Sequence, residues 1–118
     1  MSKRNFRLVP DPDGMEPSTM TAAEDFTSDD HTELNHMVFA TGDEKILAGV
    51  WECAPCREEI EAYPVHEMMT LISGALTLTH PDGRVEHFKA GDTFFIAKGD
   101  PVIWEITERL RKFYMIAG

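Results

Sequence analysis

Glu61-Ala62-Tyr63-Pro64-Val65-His66-Glu67-Met68-Met69-Thr70-Leu71-Ile72-Ser73-Gly74 is the stretch that decides the fold of this chain. It reads as the end of one strand, a corner at Pro64 and a second strand closing at Gly74. Alternation along the second strand places Glu67, Met69, Leu71 and Ser73 on one face and Met68, Thr70 and Ile72 on the other. Both faces carry apolar residues, so both are expected to be covered. An ionisable pair, His66-Glu67, opens the strand.

Outward from this stretch, residues 36–118 break into short strands separated by turn residues. Strands are expected near 36–40, 46–53, 57–63, 67–73, 75–80, 84–88, 93–97, 102–107 and 109–116. His80-Pro81-Asp82-Gly83-Arg84 is a tight hairpin, with proline presetting φ and glycine supplying positive φ. Ala90-Gly91-Asp92 and Lys98-Gly99-Asp100-Pro101 are further corners. Short strands at near-even spacing, with no long helical period, predict an all-β antiparallel sandwich or barrel. The last strand, from Arg109 to Ile116, mixes bases with aromatics and is expected at a sheet edge.

Residues 1–35 have a different texture. Eight acidic residues against three basic ones give this segment a net charge of −5, and it holds Pro10, Pro12 and Pro17. Its composition predicts a partly ordered N-terminal arm ahead of a barrel over 36–118; the alternative is an arm pinned over the sheet by Phe6, Leu8 and Phe26.

The whole chain has 118 residues, 42% apolar and 27% charged, and a formal net charge of −10. This is one globular domain with a real core. Its charge argues against nucleic acid and anionic membrane as partners. No apolar run reaches 18 residues, and no apolar stretch follows Lys3-Arg4, so neither a spanning helix nor a signal peptide is expected. With two cysteines and no export signal, a cytoplasmic home is expected. Cys53-Ala54-Pro55-Cys56 lacks the helix N-terminus of a redox pair and the second pair of a zinc site, so it reads as a strand end and corner.

A set of residues in order resembles a known family. Val50-Trp51-Glu52, Tyr63-Pro64-Val65-His66-Glu67 with Gly74, Gly91-Asp92-Thr93-Phe94, Lys98-Gly99, Trp104-Glu105 and Arg111-Lys112-Phe113-Tyr114 look like a cupin. More narrowly, they are similar to small single-domain cupins related to the cupin domain of ureidoglycine aminohydrolase. The resemblance implies a double-stranded β-helix, the cupin jelly-roll barrel. It also implies a metal site, from which this chain departs. Glu67 and Gly74 hold their motif positions, but Glu61, Tyr63 and Val102 stand where the family's histidines would be.

The resemblance makes Glu61, Tyr63, Glu67 and Trp104 the candidate ligand-binding residues, lining the barrel mouth. His66 joins them through a local bulge. Glu61 and Glu67 are the candidate acid/base pair, since two nearby carboxylates do not ionise together easily. No metal or other cofactor is expected. Tyrosine and carboxylates offer only a hard-oxygen set, suited at most to manganese or iron. His80 and His87 are expected to face each other across a hairpin. The expected function is to hold a small polar or cationic organic ligand. The alternative is an enzyme, aminohydrolase-like or isomerase-like, acting on a small nitrogen-containing or carbonyl metabolite. Because one barrel covers only one face of the 67–73 strand, a homodimer is expected.

Overall fold

The computed structural model of the protein describes residues 5–118. Lys3 and Arg4, used above against a signal peptide, lie outside the described residues. The elements run β1 (Glu16–Pro17), a 3-10 turn (Ala23–Asp25), β2 (Glu33–Ala40), β3 (Ile46–Cys53), β4 (Cys56–Ile60), β5 (His66–Thr79), β6 (Val85–Lys89), β7 (Thr93–Ile96) and β8 (Val102–Ala117). No helix among the described residues is long and apolar enough to cross a membrane.

Two long strands organise the fold. β5 and β8 pair antiparallel along nearly their whole lengths, from His66 opposite Ala117 to Thr79 opposite Ile103. Their registers slip between Leu71 and Leu76, where both strands bend. Gly74 makes the bend possible. Its φ is 87°, and a Cβ there would sit 2.2 Å from the Arg109 carbonyl oxygen. The expected breaks at residues 74 and 108 are therefore bends in continuous strands.

On one side of the bend the sheet order is β1-β2-β3-β8-β5-β7, and on the other it is β4-β8-β5-β6. The two sheets face each other as the cupin jelly roll, because each shares its two central strands with the other. β8 is thus central. Its basic residues do not guard an edge, because β3, β4 and β5 all pair with it.

The core lies between the sheets. Met69, Leu71, Leu76, Leu78, Ile96, Val102, Trp104, Ile106 and Leu110 are buried there. β5 has one buried face rather than two. Glu67, Met69 and Leu71 point inward, while Met68 is 45% exposed.

The acidic segment is threaded along the larger sheet. β1 pairs with β2, Phe6 lies 5.7 Å from Phe39, and Phe26 bridges to Cys56. Glu33 clasps the segment. Its carboxylate accepts from the Ser18 hydroxyl at 2.6 Å, the Met20 and Thr21 amides at 3.0 and 2.8 Å, and the Trp51 indole N–H at 3.1 Å. On the outer face, Arg111 donates to the Pro10 carbonyl and pairs with Asp11 and Glu52.

Candidate functional site

Glu67 opens β5 and faces the barrel interior, where it is only 4% exposed. One carboxylate oxygen accepts the Tyr63 hydroxyl at 2.7 Å and the other accepts the Lys112 ammonium at 2.6 Å. Lys112, 5% exposed, comes from the middle of β8. Its ammonium lies 4.7 Å from the Trp51 ring centre, 4.8 Å from that of Trp104 and 3.6 Å from the Met69 sulfur. A cation bracketed by two indoles and neutralised by a carboxylate satisfies the conditions for a buried charge.

Local sequence explains these placements. Leu110, Lys112 and Tyr114 alternate with Arg111 and Phe113, so strand geometry puts Lys112 inside. Trp51 sits opposite Lys112 in the β3–β8 ladder. Its indole N–H is held by Glu33, so the clasp also fixes one wall of the ammonium cage. Tyr63 is locked by the neighbouring corner: its amide donates to the Asp100 carbonyl and its carbonyl accepts from Gly99, both at 2.8 Å. Burial, with Glu67 beside it, pushes the Tyr63 phenol well above its ordinary range, so it serves as a neutral hydrogen-bond donor.

Of the expected site residues, Tyr63, Glu67 and Trp104 come together and two do not. Glu61 is exposed in the bend after β4, because the face of β4 that turns inward is the one carrying Cys56, Glu58 and Ile60. Arg57 and Glu59 point outward and pair at 3.1 Å. His66 is exposed too. It follows the strand alternation, accepts the Lys98 amide at 3.1 Å and stacks on Phe95 with centroids 6.0 Å apart. No bulge brings it to Glu67. His80 and His87 also stay apart: His80 pairs with Glu86 at 2.7 Å and His87 bonds Thr77 at 3.0 Å.

The carboxylate that does turn toward the interior beside the cluster is Glu58, opposite Trp104 in the β4–β8 ladder. Burial raises its pKa, Asp25 and Glu33 raise it further, and Lys112 opposes them. The alternation of Cys56, Glu58 and Ile60 was the available signal for Glu58, and that of Leu110, Lys112 and Tyr114 for Lys112. Cys53 and Cys56 are fully buried at the β3–β4 corner.

None of Tyr63, Glu67, Trp104 and Lys112 lines the two open cavities of the structure. A cavity of about 630 Å³ is lined by Leu78, Phe88, Phe94, Ile96 and Val102, with His80, Asp82, Arg84, Glu86 and Asp100 around it. The Phe88 and Phe94 rings stack at 3.9 Å to form part of its wall. A smaller depression of about 270 Å³ shares His80, Pro81, Pro101 and Val102 with it and adds Glu59 and Glu61.

The residues at the family's metal positions do not fit a transition metal. Tyr63 spends its proton on Glu67, Lys112 occupies the other Glu67 oxygen, Glu61 is turned away and Val102 has no donor atom. Among the described residues no three His, Cys, Asp or Glu side chains gather closely enough to hold an ion.

Comparison with known proteins agrees with this architecture. The chain is similar to a DUF861-family protein of unknown function from Pseudomonas syringae pv. tomato, with 28% identity and a TM-score of 0.78 over 87% of this chain and 44% of that one. It thus spans less than half the length of that relative. It shares its fold with a putative ethanolamine utilization protein Q from Salmonella typhimurium, at 22% identity and a TM-score of 0.61, over 74% of this chain and 70% of that one. The EutQ protein of Clostridium difficile gives 21% identity and a TM-score of 0.60, over 74% and 68% of the two chains. No curated protein matches the chain at a significant level. A model of the EutQ-like cupin domain matches residues 40–114, the stretch that supplies both bent strands, Tyr63, Glu67 and Lys112, and the chain belongs to that cupin family.

Proposed function

We propose that this cupin domain is a small-molecule-binding module that works without a transition metal and takes a polar or cationic organic ligand at the barrel mouth. One observation carries the proposal: both oxygens of Glu67, the acidic position kept from the cupin motif, are already engaged by Tyr63 and Lys112. The chain's own ammonium supplies the positive charge at the barrel centre. Ligand recognition then falls to the mouth. Its floor is apolar, and its rim sets Glu61, Asp82, Glu86 and Asp100 against Arg84 and His80. An amine with a flat or apolar body suits such a rim, the body lying on Phe88 and Phe94 and the charge meeting the carboxylates.

The test is a thermal-shift screen of small amines and their neutral analogues, followed by chemical-shift mapping of each hit. Amines should stabilise the protein, perturb Val102 and Phe88, and bind more weakly to Phe94→Leu and Glu86→Gln. Hits that bind both variants as they bind the parent, or a screen in which no amine stabilises the protein, would refute the proposal.

A second reading, hydrolase- or isomerase-like chemistry on a small nitrogen-containing or carbonyl metabolite, is supported by Glu58. It is an inward-turned carboxyl beside Trp104 with a raised pKa, as a general acid or base requires. Any activity found by screening should then be lost in Glu58→Gln and kept in Glu61→Gln. Equal activity in both variants would remove this reading.

A further inference from the structure

The smaller sheet, β4-β8-β5-β6, ends at the larger cavity with its free charges sorted by side. Thr79, the last residue of β5, pairs with Val85 at the start of β6 and with Ile103 near the start of β8. Arg84 immediately precedes Val85, and Asp100 closely precedes Ile103, so the two stand on opposite sides of the end of β5. Hydrogen bonds close the corner that carries each of them. The His80 amide donates to the Arg84 carbonyl at 2.9 Å, and the Arg84 amide donates to the Asp82 carboxylate at 2.9 Å. On the other side the Tyr63 amide donates to the Asp100 carbonyl at 2.8 Å, and the Asp100 amide donates to the Ala97 carbonyl at 3.1 Å. Asp82 is thus occupied by its own turn, and Glu86 by His80. Arg84 and Asp100 are left as the charged side chains of this cavity with neither an ion pair nor a side-chain hydrogen bond among the described residues.

We propose that the ligand of this cavity is an ω-amino carboxylate, with its carboxylate on Arg84 and its ammonium on Asp100. The inference rests on the amine-binding reading above and names the class of amine.

Spacing selects the class. Val85 and Ile103 flank Thr79 by one strand each, so the two corners stand about 10 Å apart. The two charges of an α-amino acid share one carbon and cannot reach both corners. Charges at opposite ends of a flat or apolar body can, with the body on the stacked Phe88 and Phe94 rings. The guanidinium selects the anion. Its planar fork donates two parallel hydrogen bonds to a carboxylate, and a simple amine would leave that fork without a partner. Charge sets the balance. With a net charge of −10 the chain repels a lone anion, and a doubly charged phosphate more than a carboxylate. A ligand with one charge of each sign meets no such penalty. The closed corners hold both backbones in place beforehand, which lowers the cost of ordering them around the ligand.

The test is calorimetric titration of the full chain with para-aminomethylbenzoate and four relatives: para-aminomethylbenzamide, para-methylbenzoate, phenylalanine and para-aminomethylphenylphosphonate. The aminomethylbenzoate should bind at least about tenfold more tightly than the benzamide, the gain of one charge-assisted bidentate pair. The other three should each bind more weakly than it does. Arg84→Gln should cut its advantage over the benzamide to less than about twofold, and Asp100→Asn should weaken both amines. Both side chains are exposed, so each variant should keep the parent's circular dichroism. A benzamide that binds the parent as tightly as the benzoate, or an advantage that survives Arg84→Gln, would overturn the inference and leave the cavity a site for simple amines. Phenylalanine, para-methylbenzoate or the phosphonate binding as tightly as the aminomethylbenzoate would also overturn it. If neither the benzoate nor the benzamide binds, the amine-binding reading itself falls, and this inference falls with it.

Discussion

Replacing Lys112 with methionine keeps an unbranched side chain as far as the ε carbon and removes the ammonium between Trp51, Trp104 and Glu67. Glu67 then stays buried with a single donor, Tyr63, in place of two. Breaking a buried ion pair by deleting one partner costs about 3–5 kcal/mol, because the remaining charge is uncompensated. For a domain of this size that is a fall in Tm of about 12–20 °C. The control is to remove the whole polar cluster. Glu67→Leu with Lys112→Met leaves the Tyr63 hydroxyl without an acceptor, at a cost of about 1–3 kcal/mol, and adding Tyr63→Phe removes that cost. The triple variant should therefore be more stable than the Lys112→Met single variant and fall within about 2 kcal/mol of the parent. Urea unfolding followed by tryptophan fluorescence reads all three, since both indoles of the cage report on it. A single variant within about 1 kcal/mol of the parent, or a triple variant no better than the single, would refute the view that this pair is a self-contained internal ion pair.

Glu33→Gln should cost about 2–3 kcal/mol, because an amide cannot accept from the four donors that converge on Glu33. Burial opposes ionisation of Glu33, but the Ser18, Thr21, Trp51 and Met20 donors outweigh it and hold the carboxyl below the usual range. Its stabilisation is therefore present above that range and lost as pH falls through its lowered pKa, and pH-dependent unfolding of the variant should lack this acid limb. Glu58→Gln should do the reverse. With its pKa raised, chiefly by burial, Glu58 weakens the fold as pH rises through that value, so the variant should gain on the parent at neutral pH and match it in acid. Gly74→Ala should destabilise by at least about 2 kcal/mol in denaturant titration, through positive φ and the clash with the Arg109 carbonyl.

Strand positions and the jelly roll were legible in the sequence because turn residues and alternation are local signals. That Tyr63, Glu67 and Trp104 lie near one another was legible from the motif spacing, but they were expected at the barrel mouth and are instead buried beside Lys112. Two things were not legible. The facing of β4 depends on how the chain turns at Cys53–Cys56, and a shift of one residue there exchanges Glu58 for Glu61. The role of Lys112 depends on β8 lying centrally. A lysine among other bases reads as solvated until the strand is seen to have neighbours on both sides. Glu33 was hidden in the same way, counted among the acidic residues of the arm when four donors from distant positions make it a clasp.

The two bent strands also set an order of events during synthesis. β8 is the partner of β3, β4 and β5, so none of these can complete its ladder until residues 102–117 have left the ribosome. Until then β5 has partners only on its β6 and β7 side, and its other edge, with apolar Met69 and Leu71 beside it, is an open surface that a holdase chaperone would recognise. A nascent chain stalled near residue 101 should therefore be protease-sensitive and chaperone-bound. Release of the last strand should convert it, in one cooperative step dominated by contacts distant in sequence, to the resistant barrel.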